Sequence, residues 1–355
     1  MSPTTEGPGD ASRPRSGEGA GHEDVVRRAI RTYAARQPEL REATQAYLAM
    51  VTAVLDDAGI NYLSITGRTK SVVSFAAKAA HQAHGVPVYA DPLAEITDQI
   101  GLRVITYLRD DVQAVADVLT DQFRVLGDRD LGQETADEGR WGYASRHLLV
   151  TLDPASSPPP ELDRLVGHRA SVQLRTVLQH AWAEFEHDIR YKGTIPPEHA
   201  SDLDRRFTLA AGLLELADRE FSAIRDRVHA KPVGPRSAPD PRDPRISPQE
   251  LTAYLTGKYA EASWSRTDHY AWIAGLLLEL GITSLDELDV LLDSVDGDEV
   301  HERMGYSYPA GAVRRLDDAL LAVFGRRYVG LTANAHRRDR LTARLERLTS
   351  FDAGG

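Results

Sequence analysis

Four short stretches, in a fixed order, carry residue types suited to phosphate and nucleotide chemistry. The first is Gly67-Arg68-Thr69-Lys70-Ser71, continued by Ser74 and Lys78. It lies where a strand pattern gives way to a helical one. A helix start offers free N–H groups and the positive end of the dipole, both suited to phosphate. Arg68, Lys70 and Lys78 add cations there, and Lys78 shares a helix face with Ser74, four residues earlier. The second stretch is Asp98-Gln99-Ile100-Gly101-Leu102-Arg103. A carboxylate just ahead of a strand suits Mg²⁺, which takes one or two carboxylates plus phosphate oxygens. Arg103 can stack on a base or pair with phosphate. The third is Gly142-Tyr143-Ala144-Ser145-Arg146-His147, an aromatic beside a glycine at a strand start, which can serve as a platform for a flat base. The fourth runs from Ser171-Val172-Gln173-Leu174-Arg175-Thr176 through His180 to Lys192. His180, Glu184 and His187 fall on one helix face. Zinc peptidases place their two helical histidines four apart, whereas these are seven apart, which argues against zinc. Taken singly, the stretches also fit plainer roles: a solvated basic helix start, a surface turn around Gly101, a half-buried Tyr143 on a strand.

The elements that must position these residues are legible in the hydrophobic period. Helical spacing runs from about residue 23 through Tyr33 and again over about 39–58. Alternation then marks strands at 61–66, 102–107, 122–125, 145–152 and 170–175. Helices are expected over 71–84, after the second strand through Val112, Val115, Val118 and Leu119, from an N-cap at Thr176 to Tyr191, and over about 202–229. Strands interspersed with helices imply an α/β (α+β) fold, a mixed five-stranded sheet with flanking helices. Residues 1–22 are rich in Gly, Pro, Ser and Glu and read as a disordered tail. Residues 23–230 form the first domain. Residues 231–247, with Pro232, Pro235, Pro239, Pro241 and Pro244, read as a linker. Residues 248–350 form a helical C-terminal domain, with segments near 248–260, 266–280, 284–293, 311–323 and 333–348.

Together the four stretches resemble the synthetase domain of the RelA/SpoT family. Arg68, Lys70, Ser74 and Lys78 meet its R-x-K-x-x-x-S-x-x-x-K pattern. Asp98, Gly101 and Arg103 meet D-x-x-G-x-R. Gly142, Tyr143, Ser145 and His147 meet G-Y-x-S-x-H. Gln173, Arg175 and Thr176, followed by His180 to Glu184, Glu186, His187, Tyr191 and Lys192, meet the last motif. The resemblance covers about residues 40–230. It implies a nucleotidyltransferase-like fold and transfer of pyrophosphate from ATP to the 3′-hydroxyl of GDP or GTP, with Mg²⁺. Arg68 and Arg103 would sandwich adenine; Lys70, Ser74 and Lys78 would hold the ATP phosphates; Asp98 would bind the metal. Tyr143 would stack on guanine, with His147, Gln173 and Arg175 lining the acceptor side. Where the family carries a catalytic Glu, two residues before Gln173, this chain has Ser171. Glu184 and Glu186 are the carboxylates placed to compensate. The family's lysine-rich stretch ahead of the third motif is replaced by Gln133-Glu134-Thr135-Ala136-Asp137-Glu138. Nothing ahead of Arg68 matches the family's His-Asp hydrolase, so alarmone hydrolysis is not expected.

Two alternatives stand beside alarmone synthesis: the same transfer onto the 3′ end of tRNA, and a nucleotide-binding or scaffold protein that has lost catalysis. The C-terminal arginines (Arg314, Arg315, Arg326, Arg327, Arg337, Arg338, Arg340, Arg344, Arg347) read either as a solvated face paired with nearby acids or as an RNA or partner surface. A homo-oligomer is left open. Bulk properties agree with a cytoplasmic globular protein of 355 residues, with 42% hydrophobic and 27% charged residues. The absence of cysteine excludes disulfides and thiolate chemistry. A net charge of −11 argues against generic nucleic-acid coating. No apolar run approaches the roughly 20 residues of a bilayer span, and the N-terminus has no secretory core.

Overall fold

A computed structural model describes residues 16–131, 134, 145–152, 165–192, 197–229, 245–260, 262–306, 308 and 310–350. The chain opens with helix α1, Ser16–Asp57. Two helices were expected here, separated near Pro38, and 16–22 as tail; one helix runs through instead. Proline costs a single backbone bond, to the carbonyl four residues back. Burial of Tyr33, Leu40, Ala43, Tyr47, Val51 and Leu55 on one continuous stripe offsets that loss.

Strand β1 (Tyr62–Thr69) and helix α2 (Val72–Ala79) follow. The helix expected to reach His84 stops early. His84 has φ 52° and Gly85 φ 79°, and the chain turns back in a small hairpin, β2 (Gln82–Ala83) with β3 (Val86–Pro87). A short α3 (Pro92–Glu95) leads to β4 (Ile100–Thr106), α4 (Arg109–Gln122), β5 (Arg124–Asp130), β6 (Arg146–Thr151) and β7 (Arg169–Thr176). Helices α5 (Val177–Lys192) and α6 (Pro197–His229) complete this part. The mixed five-stranded sheet has the order β1-β4-β7-β6-β5. The β4–β7 pair is parallel and the other neighbours antiparallel.

Alternation splits this sheet into two faces. Leu102, Val104, Leu148, Val150, Val172 and Leu174 enter the core under α1 and α4. Thr66, Arg68, Gly101, Arg103, His147, Ser171 and Gln173 occupy the opposite face. Register fixes them side by side: Arg68 opposite Gly101, Thr66 opposite Arg103, Arg103 beside Gln173, Gln173 opposite His147.

The expected linker lies largely outside the described residues. Beyond it come α7 (Pro248–Lys258), α8 (Thr267–Leu280), α9 (Leu285–Asp293), α10 (Gly297–Met304), α11 (Ala312–Phe324), α12 (Arg326–Val329) and, after a 3₁₀ turn, α13 (Arg338–Ser350). They enclose a second core around Leu255, Ile273, Leu277, Leu288, Leu316 and Leu320. For three of the arginines the expected pairing with nearby acids holds, to Asp317 and Asp318, but the face is buried and not solvated. Arg314, Arg337 and Arg344 are buried, with Asp317 and Asp318, and all three reach Asp57 at the end of α1. Arg314 Nη1 donates to the Asp57 carboxylate at 2.7 Å and also to its carbonyl; Arg340 Nη1 donates to Ala53 O at 3.0 Å. The unpaired carbonyls that end any helix are thus taken up by arginines from far along the chain. Gly59, at φ 72°, brings its carbonyl so close to Gly311 that a Cβ there would lie 2.8 Å away.

Burial alone would raise the Asp57 carboxyl, but Arg314 and Arg344 overcome it and hold it well below the ordinary carboxylate range. The folded chain therefore keeps this charge to lower pH than the unfolded chain does. Its stabilisation is complete above the unfolded carboxylate range and is lost as pH falls through the depressed folded value. Asp57→Asn should lower the unfolding free energy at neutral pH by about 3 kcal/mol, as expected when one partner of a buried ionic cluster is removed. Urea denaturation followed by circular dichroism measures it; a loss under about 1 kcal/mol would show a pair screened like a surface one.

Candidate active site

The turn from β1 into α2 sets up the first half of the site. Ser71 caps α2, its hydroxyl accepting from Ser74 N–H at 3.0 Å. The Ser71 hydroxyl also donates to Ser74 Oγ at 2.9 Å. Lys70 N–H bonds Gln99 O at 2.9 Å, joining this turn to the loop that carries Asp98. Lys70 Nζ then meets Asp98 Oδ2 at 2.7 Å and Lys78 Nζ meets Oδ1 at 3.1 Å. Burial pushes the Asp98 carboxyl up, but the hydrogen bond and charge of Lys70, then those of Lys78, hold it below its ordinary value. It is an anion throughout the physiological range.

A cleft of about 330 Å³ lies beside this triad, lined by Thr66, Gly67, Arg68, Asp98, Gly101, Leu102, Arg103, Ser171 and Gln173. The Arg68 side chain passes about 3.6 Å from where a Cβ on Gly101 would lie, so the bare glycine leaves room for it along the sheet. Of the expected donor-side residues, Arg68, Asp98 and Arg103 line the cleft directly. Lys70 and Lys78 reach it through Asp98. Ser74 stands in the first turn of α2.

The second half is built on β7 and α5. Thr176 caps α5: its hydroxyl accepts from Gln179 N–H at 3.2 Å, and Thr176 N–H donates to Gln179 Oε1 at 2.9 Å. That start turns His180 and Glu184 toward the sheet. Glu184 Oε1 accepts from Arg103 Nη1 at 2.8 Å and lies 3.7 Å from His180 Nδ1. Burial, then Arg103, depresses the His180 imidazole, which favours its neutral form. Arg175 is buried and pushed down to about 10, by desolvation first and Arg103 second, and stays charged at neutral pH. His147 pairs with Ser145 Oγ at 2.9 Å and is depressed by burial and by Arg129.

The two compensating carboxylates separate here. Glu184 is bonded to a cleft arginine. Glu186, two residues on, is turned by about 200° around the helix. His187 is exposed, and among the described residues no group of three or more potential metal-binding His, Asp or Glu side chains gathers. Asp98 alone suits Mg²⁺ held mainly by substrate phosphates, since that ion accepts one carboxylate and fills its octahedron with phosphate oxygens and water. Tyr143 lies outside the described residues.

Sequence reasoning missed what stands behind Lys70. Tyr33, Gln37 and Thr44 of α1 all reach the end of β1. No local motif marks them, because the pairing spans 25 to 37 residues. Thr66 was also missed, although alternation from Arg68 puts it on the same face.

A family model described as a region found in RelA/SpoT proteins matches residues 67–195. The GTP pyrophosphokinase YjbM of Bacillus subtilis (strain 168) is 33% identical over 168 residues, 46% of this chain and 72% of that protein. The GTP pyrophosphokinase YwaC of the same organism is 27% identical over 137 residues, 38% of this chain and 60% of its relative. Among solved structures, small alarmone synthetase 1 from Bacillus subtilis aligns with 56% of this chain and 99% of its own, at 24% identity and a TM-score of 0.45. With the family model on residues 67–195, the segment that builds most of the cleft, and a 33% identical relative matched over 72% of its length, the chain belongs to the RelA/SpoT family through its synthetase domain.

Proposed function

We propose that this protein transfers the β,γ-pyrophosphate of ATP to the 3′-hydroxyl of GDP or GTP, making (p)ppGpp. The acceptor oxygen forms a bond to the β-phosphorus, the bridging bond to the α-phosphate breaks, and AMP leaves. The observation that carries the reading is one cleft joining the Lys70–Asp98–Lys78 triad to Arg68, Arg103, Ser171 and Gln173. Transfer of this kind needs little covalent help from protein; it needs alignment and fixed positive charge where phosphate charge moves. Lys70 and Lys78 supply that charge, and Arg68 and Arg103 flank the adenine. His147, Gln173 and Arg175 orient the acceptor, with Tyr143 as its stacking platform. Mg²⁺ held by Asp98 would neutralise phosphate charge. Cytoplasmic location belongs to the same reading, since both nucleotides are found there.

Ser171 cannot take a proton as Glu would. Glu184 is the carboxylate that the geometry favours for that task. Its Arg103 partner sits beside Gln173, two residues along β7 from Ser171.

Purified protein with Mg²⁺, labelled ATP and either GDP, GTP or total tRNA should release AMP and label the guanosine nucleotide. Label on tRNA alone would replace the acceptor, and no label on any would leave nucleotide binding without transfer. Asp98→Asn should reduce AMP release at least about 10²-fold, the scale of one charge-stabilising group, with the native circular dichroism spectrum retained. Unchanged turnover would remove Asp98 from the metal role.

Glu184→Gln should cut kcat by about 10²–10⁴-fold, the usual worth of a general base. Glu186→Gln should cost less than about threefold. Ser171→Glu in the Glu184→Gln background should restore much of the loss. A Glu184→Gln enzyme at full rate would return the question to Ser171 itself.

A further inference from the structure

The Lys70 main chain is clamped from behind by helix α1. Tyr33 is fully buried, and its hydroxyl donates to Lys70 O at 2.7 Å. Gln37 Nε2, one turn on, donates to the same oxygen at 3.4 Å. Thr44 Oγ1 meets Thr69 Oγ1 at 2.7 Å. The Tyr33 ring also stacks on Phe75 of α2, centroids 4.0 Å apart and planes 2° from parallel. Phe75 is itself fully buried, and Lys78 lies three residues farther along α2, nearly one turn. One side chain thus touches both arms that grip Asp98: the strand end bearing Lys70 through its hydroxyl, the helix bearing Lys78 through its ring.

We propose that Tyr33 is a positioning residue for the donor half of the site, setting the Lys70 and Lys78 ammonium groups against Asp98 through its contacts with Lys70 O and Phe75. This rests on the reading of the cleft as an ATP site, but the geometry it predicts does not. Lysine side chains are long and flexible, and each loses substantial rotamer entropy when held. Fixing the backbone and helix that carry them narrows the volume their charges sweep. The contribution is alignment of charge with the departing pyrophosphate, so its loss falls on the donor nucleotide and on turnover.

The test is Tyr33→Phe, which removes one oxygen and keeps the ring stack. In steady-state assays kcat/KM for ATP should fall about tenfold, the scale of one lost hydrogen bond acting on alignment. KM for the guanosine acceptor should stay within about twofold, and the thermal midpoint within a few degrees. Gln37→Ala should deepen the loss in the Tyr33→Phe background. A variant with a lowered thermal midpoint and unchanged kcat/KM for ATP would show a purely structural hydroxyl and overturn the proposal. Should wild-type protein transfer nothing, the function reading fails and the positioning claim is judged on a crystal structure of Tyr33→Phe. Lys70 Nζ moved out of hydrogen-bonding reach of Asp98 would support it. The pair unmoved, at its 2.7 Å, would overturn it.

Discussion

Two ammonium groups converge on one carboxylate, and the site depends on that contact. Lys70 and Lys78 come from different elements, and Asp98 from a third. Without Asp98 the ammonium groups would face each other across a partly buried turn. Two like charges that close repel by an amount on the order of a few kcal/mol at an effective dielectric of about 20. The carboxylate makes their proximity tolerable in the free protein. A triphosphate can then take over as counter-charge without the cations having to be gathered first. This is electrostatic preorganisation in its simplest form: charge is assembled during folding, not during the reaction.

The sheet does the remaining assembly through its period of two. Every second residue of β1, β4, β6 and β7 lies on the open face, and direct cross-strand neighbours share a face. Arg68 therefore meets Gly101, Arg103 meets Gln173, and Gln173 meets His147. A slip of one residue in any ladder would turn its cleft residues into the core and its valines and leucines into the cleft. The fully buried Leu102, Val104, Val172 and Leu174 enforce the register from beneath. The apolar core thus specifies the site as strictly as the polar residues do.

How much of this was readable follows from range. The strand alternation, the Thr176 cap and the order of the four charged stretches are local, and the five strands came from them. The gap in helical spacing between Tyr33 and residue 39 was read as a break, but one buried stripe runs through it and past Pro38. The first half of the hairpin, 82–84, was read as helix because the Ala-rich run before it has no local stop stronger than His84 and Gly85. Tyr33 showed only as part of a helical stripe and Gln37 not at all; a hydroxyl bonding a carbonyl 37 residues away leaves no trace in spacing. Helix spacing already set Glu184 apart from Glu186, but not which of the two faces meets the sheet.

The arginines of the C-terminal helices show the limit of composition most clearly. Beside Asp317 and Asp318 they read as a solvated face, yet Arg314, Arg337 and Arg344 are buried with them. The missing term is Asp57, more than 250 residues earlier. It enters this cluster along with the end of α1. Buried ion pairs are weak sources of net stability, because desolvation consumes most of the attraction. They are strong discriminators against wrong docking, since any shift strands a charge. Gly59 packed against Gly311 adds a steric constraint to that electrostatic one where the C-terminal helices seat on α1. Arg314 and Arg340 hold the far end of α1, while Tyr33 bonds Lys70 from its earlier turns. The C-terminal helices therefore fix the same rigid element that backs the donor half of the cleft.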